Sequence, residues 1–206
     1  MNNDIREEVV QTIISRRYIS QEKVIELIVI TVFQIVFAVA ITLYVNYQIS
    51  NIQNKLNIEL REKQKMEETA SQFNSLSHGR LFLMNRLINH YKSPSDPKDR
   101  DKFRNEYTDS INLWNSSRGN LEAGIELYFG KENVVLYQEK IDKSFRDIHQ
   151  RFYDCVQKNK DDKKSTENFT IELKNLEPEI KKLTQSIYEL DKNMQTKIKS
   201  VVSKID

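Results

Sequence analysis

The chain has 206 residues, among them 4 glycines, 3 prolines and one cysteine, and its formal net charge is +2. So few turn-forming residues, in a sequence rich in Lys, Glu, Asn, Gln, Ile and Leu, exclude a sheet protein and predict an all-α fold. The balanced charge is not typical of a nucleic-acid-binding protein, although it neither requires nor excludes a nucleotide ligand. A single cysteine excludes an intrachain disulfide framework and a multi-cysteine metal site.

The first predicted segment is an amphipathic helix within residues 1–23. Residues 4–18 repeat apolar side chains with a helical period and place charged side chains opposite them. A helix of this kind either lies in the membrane interface or packs on a neighbouring subunit, and the sequence leaves both alternatives open. Acidic residues such as Glu7, Glu8 and Glu22 precede the next segment, which argues against a cleaved signal peptide.

The second predicted segment, residues 24–47, is a transmembrane helix. Its central run, Leu27 to Val45, contains 19 residues without a charge, a glycine or a proline. At about 1.5 Å per residue this run extends roughly 28 Å, which is close to the thickness of a bilayer's hydrocarbon core. The sequence therefore predicts a single-pass membrane protein whose first partner is the lipid bilayer.

One face of this predicted helix carries a stripe of polar and small side chains, Thr31, Gln34, Ala38 and Thr42. Spacings of three, four and four residues place them on the same side of a helix. Small and hydroxyl side chains are typical of helix–helix packing in membranes, and a ring of such stripes could instead line a pore. Both interpretations predict self-association or a partner helix, because a glutamine facing lipid would leave its amide without a hydrogen bond.

The remainder of the chain is predicted to be a helical stalk, residues 48–78, followed by a soluble helical-bundle domain, residues 79–206. The charged run Glu59–Glu68 is typical of a solvated helix, and Gly79 marks a candidate interruption. Gly130 is a candidate helix C-cap, and Pro178 should kink or divide the last helical region. The helices predicted in the bundle are 80–91, 98–128, 131–158 and 166 to the end.

Two Arg/His pairs are the candidate chemical groups of the bundle, Arg86 with His90 and Arg146 with His149. At these spacings both members share a helix face, where they could contact a phosphate. Helical RNases of the HEPN type have four to six residues between an Arg and a His, and neither pair has that many residues between its members. The histidines also lack metal-ligand spacing and no Gly-rich phosphate loop occurs. The sequence therefore predicts no enzyme activity, no metal and no cofactor.

The architecture resembles the small membrane accessory proteins encoded with the RNA-guided RNase of type VI-B CRISPR loci. The resemblance lies in the apolar helix Leu27 to Val45, the helical remainder, and the degenerate HEPN-like Arg/His pairs in RLINH and RDIHQR. It implies a cyclic homo-oligomeric pore in the bacterial inner membrane, which depolarises the cell in antiphage defence after the RNase has been activated. It also implies a cytoplasmic bundle, whereas the basic residues on the two flanks of the apolar helix favour neither orientation.

Two alternative functions remain open. The first is a membrane effector whose helical domain binds a cyclic oligoadenylate, for which Arg80, Arg86, Arg100 and Arg104 could supply positive charge. The second is a membrane adaptor that conducts no ions and binds only a partner helix.

Overall fold

A computed structural model of the protein describes residues 3–92, 97–162 and 166–205. Every described residue except Gly130, Asn175 and Leu176 is helical, which confirms the predicted all-α fold. The chain forms two compact units, Met1–Asn57 and Ile58–Asp206, called here the N-terminal unit and the C-terminal unit. The elements are α1 (Asn3–Lys92), α2 (Pro97–Phe129), α3 (Lys131–Val135), a π-helical segment (Leu136–Asp142), α4 (Lys143–Asp162), α5 (Thr166–Lys174) and α6 (Glu177–Ile205).

The N-terminal unit consists of the first part of α1. This helix is continuous across the boundary predicted between residues 23 and 24, because no glycine or proline occurs there to interrupt it. Residues 7–12 and 21–57 are all exposed, including the whole apolar run from Leu27 to Val45. The two alternatives for residues 4–18, a membrane interface or a subunit contact, both remain predictions.

The C-terminal unit is an antiparallel bundle, and its first two helices show the arrangement. Thr69 of α1 approaches Gly124 near the end of α2, whereas Arg86 of α1 lies 3.6 Å from Glu106 in the first half of α2. Earlier residues of one helix therefore meet later residues of the other. The helices α3, the π-helical segment and α4 form one rod that lies antiparallel to α2, since Trp114 of α2 bonds to Asp142 and the earlier Tyr107 packs on the ring of the later His149.

The last helix closes the bundle. It contacts α2, the π-helical segment and α4, and the Asn74 amide on α1 donates to the Asp191 carboxylate of α6 over 2.6 Å. Lys92 at the end of α1 pairs with Glu177 at the beginning of α6, which makes these two helices antiparallel as well. The second part of α1, α2, the rod from α3 to α4, and α6 thus form a four-helix bundle.

The boundary of the bundle differs from the predicted one. Met66, Ala70, Phe73 and Ser77 are buried in the C-terminal unit, although the sequence placed them in a solvated stalk. Their spacing puts them on one face of α1, so the charged neighbours remain in water while this face joins the core. The bundle therefore begins at about residue 58 rather than at residue 79.

The predicted helix breakers gave different outcomes. Gly79 does not interrupt α1, which continues to Lys92. Gly130 ends α2 as predicted: its φ of 92° lies in the left-handed region, and its N–H donates to the carbonyls of Ile125 and Glu126. Pro178 lies in the first turn of α6 and marks the division between α5 and α6, since its missing N–H costs no hydrogen bond at that position.

The core of the bundle is built from large apolar and aromatic side chains. Most of the aromatic residues at helical spacing are buried, whereas Tyr153 is exposed. The buried aromatic residues of the last two-thirds of the chain include Trp114, Phe129, Tyr137, Phe145 and Phe152.

Candidate functional sites

The apolar run of α1 is the first candidate site. Among the described residues, one helical stretch is long and apolar enough to cross a membrane, judged by length and composition. Its best 18-residue window has a mean hydropathy of 2.7, and none of that window is buried. A fully exposed surface of this kind is costly in water, since apolar burial stabilises by about 25 cal/mol per Å².

The polar stripe on this run is largely satisfied within its own helix. The Thr31 hydroxyl donates to the Leu27 carbonyl over 2.7 Å, and the Thr42 hydroxyl donates to the Ala38 carbonyl over 2.8 Å. In contrast, the Gln34 amide makes no hydrogen bond within the part of the chain that the structure describes. The Gln34 amide, on which the predicted need for a partner helix rests, is therefore the polar group of the stripe that lacks a hydrogen bond.

The first Arg/His pair is brought together on one aromatic ring. The Arg86 guanidinium lies 3.8 Å from the centroid of Phe103 on α2, and the His90 ring lies 4.4 Å from the same centroid. Arg86 also lies 3.6 Å from a carboxylate oxygen of Glu106. Its charge is thus already engaged by a ring and a carboxylate, which lowers its availability to a phosphate.

The two members of the second Arg/His pair, Arg146 and His149, point to different parts of the bundle. The exposed guanidinium of Arg146 lies 3.2 Å from the Asp142 carboxylate one turn earlier. His149 is half-buried and packs at 5.7 Å, centroid to centroid, on the ring of Tyr107. Burial, together with the nearby charge of Arg80, lowers the pKa of His149. The two members of this pair therefore contact different neighbours.

A buried polar cluster around Arg80 is the feature that sequence reasoning missed. Arg80 is 3% exposed, and its guanidinium lies 5.4 Å from the Trp114 centroid and 4.4 Å from the Phe145 centroid. Asp142 is 1% exposed and accepts a hydrogen bond from the Trp114 indole over 2.9 Å. Burial lowers the pKa of Arg80, whose guanidinium nevertheless stays charged at neutral pH.

The π-helical segment is the local structure that holds Asp142 in the core. Its end residues Ile141 and Asp142 are consecutive and both buried. A regular helix turns successive side chains about 100° apart, whereas a wider π turn changes that register, and π segments often occur at functional positions. No sequence signal indicated this segment, because Asp142 follows an ordinary apolar position and precedes a lysine.

The four arginines suggested for a nucleotide pocket do not meet in one open site. Arg80 is inside the core, Arg86 is engaged with Phe103, and Arg104 pairs with Asp101 on its own helix. Arg100 lies over the ring of Tyr91 at 5.0 Å. Two surface clefts of the C-terminal unit, of about 500 Å³ and 570 Å³, are lined by none of these arginines and by neither Arg/His pair.

Within the described part of the chain, no group of three His, Cys, Asp or Glu side chains is placed to hold a metal ion. No protein-family model, no curated protein and no solved structure matches this chain.

Proposed function

We propose that this chain is a single-pass membrane protein that self-associates through the run Leu27 to Val45 and forms a homo-oligomeric pore. The observation that supports the proposal most directly is the apolar run itself, which is fully exposed and carries one unpaired amide, that of Gln34. Lipid would cover the apolar side chains, and a copy of the same helix would supply a hydrogen-bond partner for the amide. Both needs are met by one assembly.

The biological setting of the proposal comes from the resemblance to type VI-B accessory proteins. In that setting the pore depolarises the bacterial inner membrane during antiphage defence, an RNA-guided RNase acts upstream, and the C-terminal bundle lies in the cytoplasm. The degenerate Arg/His pairs have no catalytic part in this function. Their contacts with Phe103, Asp142 and Tyr107 support a structural role within the bundle.

The Gln34→Leu variant tests the proposal, because packing and conduction respond differently to it. If Gln34 lines a pore, the variant makes the constriction apolar and lowers conduction by dewetting, while the oligomer stays intact. If Gln34 only bonds between helices, the variant loses an interaction of about 0.5–2 kcal/mol and the oligomer becomes smaller. Light scattering in detergent and a voltage-sensitive dye in cells measure the two properties on the same variant.

The matched control is Val36→Leu, on the opposite side of the same helix, which should change neither property. An intact oligomer that no longer depolarises the membrane would support the pore. A wild-type protein that is monomeric in detergent at micromolar concentration would contradict self-association and favour the adaptor. If Gln34→Leu altered neither oligomer size nor depolarisation, the pore should be abandoned.

A further inference from the structure

The core of the C-terminal unit contains a group of polar atoms without hydrogen-bond partners. Among the described residues these include Nε and Nη1 of Arg80, the hydroxyls of Tyr107 and Tyr137, and Nδ1 of His149. Such atoms are rare in native cores, because a buried donor without a partner has lost its hydrogen bonds to water and gained none in their place. Several of them in one place indicate that the folded protein satisfies them with something other than its own side chains.

These residues are neighbours rather than scattered positions. Tyr107 packs on the ring of His149, and the charge of Arg80 acts on both of these groups. The Tyr107 hydroxyl and the Arg80 guanidinium lie within reach of a side-chain hydrogen bond that acts on the pKa of both groups, although the donor and the acceptor are not well aligned. Arg80, Tyr107 and His149 are therefore neighbours drawn from α1, α2 and α4, and among them Nε and Nη1 of Arg80 and Nδ1 of His149 have no hydrogen-bond partner.

The charge of Arg80 is also poorly compensated. Within the described residues, Arg80 forms no ion pair with a carboxylate, and Asp142 is the acidic group that acts on it from a distance. Asp142 is itself shared, because Arg118 and Arg146 lie 3.3 Å and 3.2 Å from its second oxygen. The rings of Trp114 and Phe145 exclude water from the guanidinium and supply only the weaker attraction of aromatic faces. A buried cation in this position favours a negative partner.

The unpaired atoms restrict what that partner is. A guanidinium only donates, and a hydroxyl or a neutral imidazole can donate, so the ligand must accept hydrogen bonds. The positive charge of Arg80 requires the ligand to be an anion. Because Arg80 and Tyr107 are almost completely buried, the ligand must also be small. We propose that the bundle core binds one small inorganic anion, of the size of chloride, between the Arg80 guanidinium, the Tyr107 hydroxyl and the His149 imidazole.

Replacement of chloride by gluconate at constant ionic strength tests this site on the full chain in detergent, since gluconate is too large to enter a closed core. The fluorescence of Trp114, the single tryptophan, reports unfolding of the C-terminal unit. A ligand that binds only the folded state raises the melting temperature, and 300 mM chloride should raise it by about 3–8 °C relative to gluconate. Arg80→Met should abolish this difference, because it removes the charge and two of the donors.

The matched control is Arg104→Met, which removes an exposed arginine of α2 and should retain the full chloride effect. This control separates binding at Arg80 from general effects of the two salts on stability. Equal melting temperatures of the wild type in chloride and gluconate would overturn the proposal and indicate that water alone satisfies the cluster. A chloride effect of the same size in Arg80→Met would overturn it as well.

A second measurement keeps the proposal testable if Arg80→Met does not fold. Crystals of the wild-type protein grown or soaked with bromide should show an anomalous peak in contact with the guanidinium of Arg80. The absence of a peak there, in crystals that bind bromide elsewhere, would overturn the proposal. This inference does not depend on pore formation, since it concerns the folded bundle alone.

Discussion

Replacing Asp142 with asparagine removes one negative charge from the core of the C-terminal unit and leaves the volume of the side chain almost unchanged. Asp142 is 1% exposed, accepts from the Trp114 indole and faces Arg118 and Arg146 with its second oxygen. The asparagine amide keeps one acceptor for the indole, but its NH₂ group turns donors towards two guanidinium groups. We expect the variant to fold into a less stable bundle.

The magnitude follows from the contacts. A hydrogen bond to a charged acceptor contributes about 1.5–3 kcal/mol and one to a neutral acceptor about 0.5–1.5 kcal/mol, so the indole bond weakens by about 1 kcal/mol. Arg118 and Arg146 are 41% and 57% exposed, so each ion pair contributes at most about 1 kcal/mol. Loss of the carboxylate also leaves Arg80 without its acidic neighbour. We expect a total loss of about 2–4 kcal/mol, near the range for breaking a buried charge pair.

The assay is thermal unfolding of the full chain in detergent, followed by tryptophan fluorescence. Trp114 is the single tryptophan and is fully buried against Tyr137 and Phe145, so the signal comes from the core that the substitution changes. The expected loss corresponds to a fall in melting temperature of about 5–15 °C.

The control is Asp147→Asn, the same chemical change at an exposed position of α4, which should cost less than about 0.5 kcal/mol. Equal melting temperatures for the two variants would refute the reasoning, because they would mean that the buried charge of Asp142 does not stabilise the bundle.

The ionisation of His149, two glycines of α2 and the spacing of the Arg/His pairs give three more predictions. Burial lowers the pKa of His149 in the folded state, so its contribution to stability is complete above the unfolded pKa of about 6.5 and is lost as the pH falls from there through the folded pKa. The melting temperature of the wild type should therefore fall more between pH 7.5 and pH 5 than the melting temperature of His149→Gln. Equal falls in the two proteins would contradict this prediction. A Cβ at Gly119 meets nothing within 4 Å, whereas one at Gly124 lies 2.9 Å from Cγ2 of Thr69. In denaturant unfolding, Gly119→Ala should stabilise the protein by up to about 1 kcal/mol, and Gly124→Ala should be about 1–3 kcal/mol less stable than Gly119→Ala. If the clash causes this difference, adding Thr69→Ala to Gly124→Ala should restore the lost stability. Purified protein should leave labelled single-stranded RNA intact, because neither Arg/His pair has the HEPN spacing; cleavage that disappears in His149→Ala would show that this expectation is wrong.

Much of the local structure was predictable from the sequence. The scarcity of glycine and proline determined the helical fold, and Gly130 and Pro178 determined where α2 ends and where α6 separates from α5. The apolar run from Leu27 to Val45 was evident from composition alone. These features are local, because a helix, its termini and its hydropathy depend on residues within a few turns of one another.

The burial of polar residues was not predictable in the same way. Arg80 was expected to supply positive charge to a ligand pocket, and Asp142 gave no signal at all, yet the two lie in one core cluster. They come from distant parts of the chain, and Asp142 lies in a π-helical segment that contacts α6 and accepts a hydrogen bond from Trp114 of α2. Likewise, the sequence could place Arg86 with His90 and Arg146 with His149 on shared helix faces, but not show which neighbours engage each side chain.

The stretch from residue 58 to residue 78 shows most clearly which properties the sequence determines and which ones the tertiary structure decides. By itself the sequence determined that this stretch is helical and highly charged, which is typical of a solvated stalk. Only the tertiary structure decided that Met66, Ala70 and Phe73 face the core while their charged neighbours face water. The physical reason is that burial requires a partner surface: a helix with a narrow apolar face is stable in the core only where other helices, here α2 and α6, cover that face.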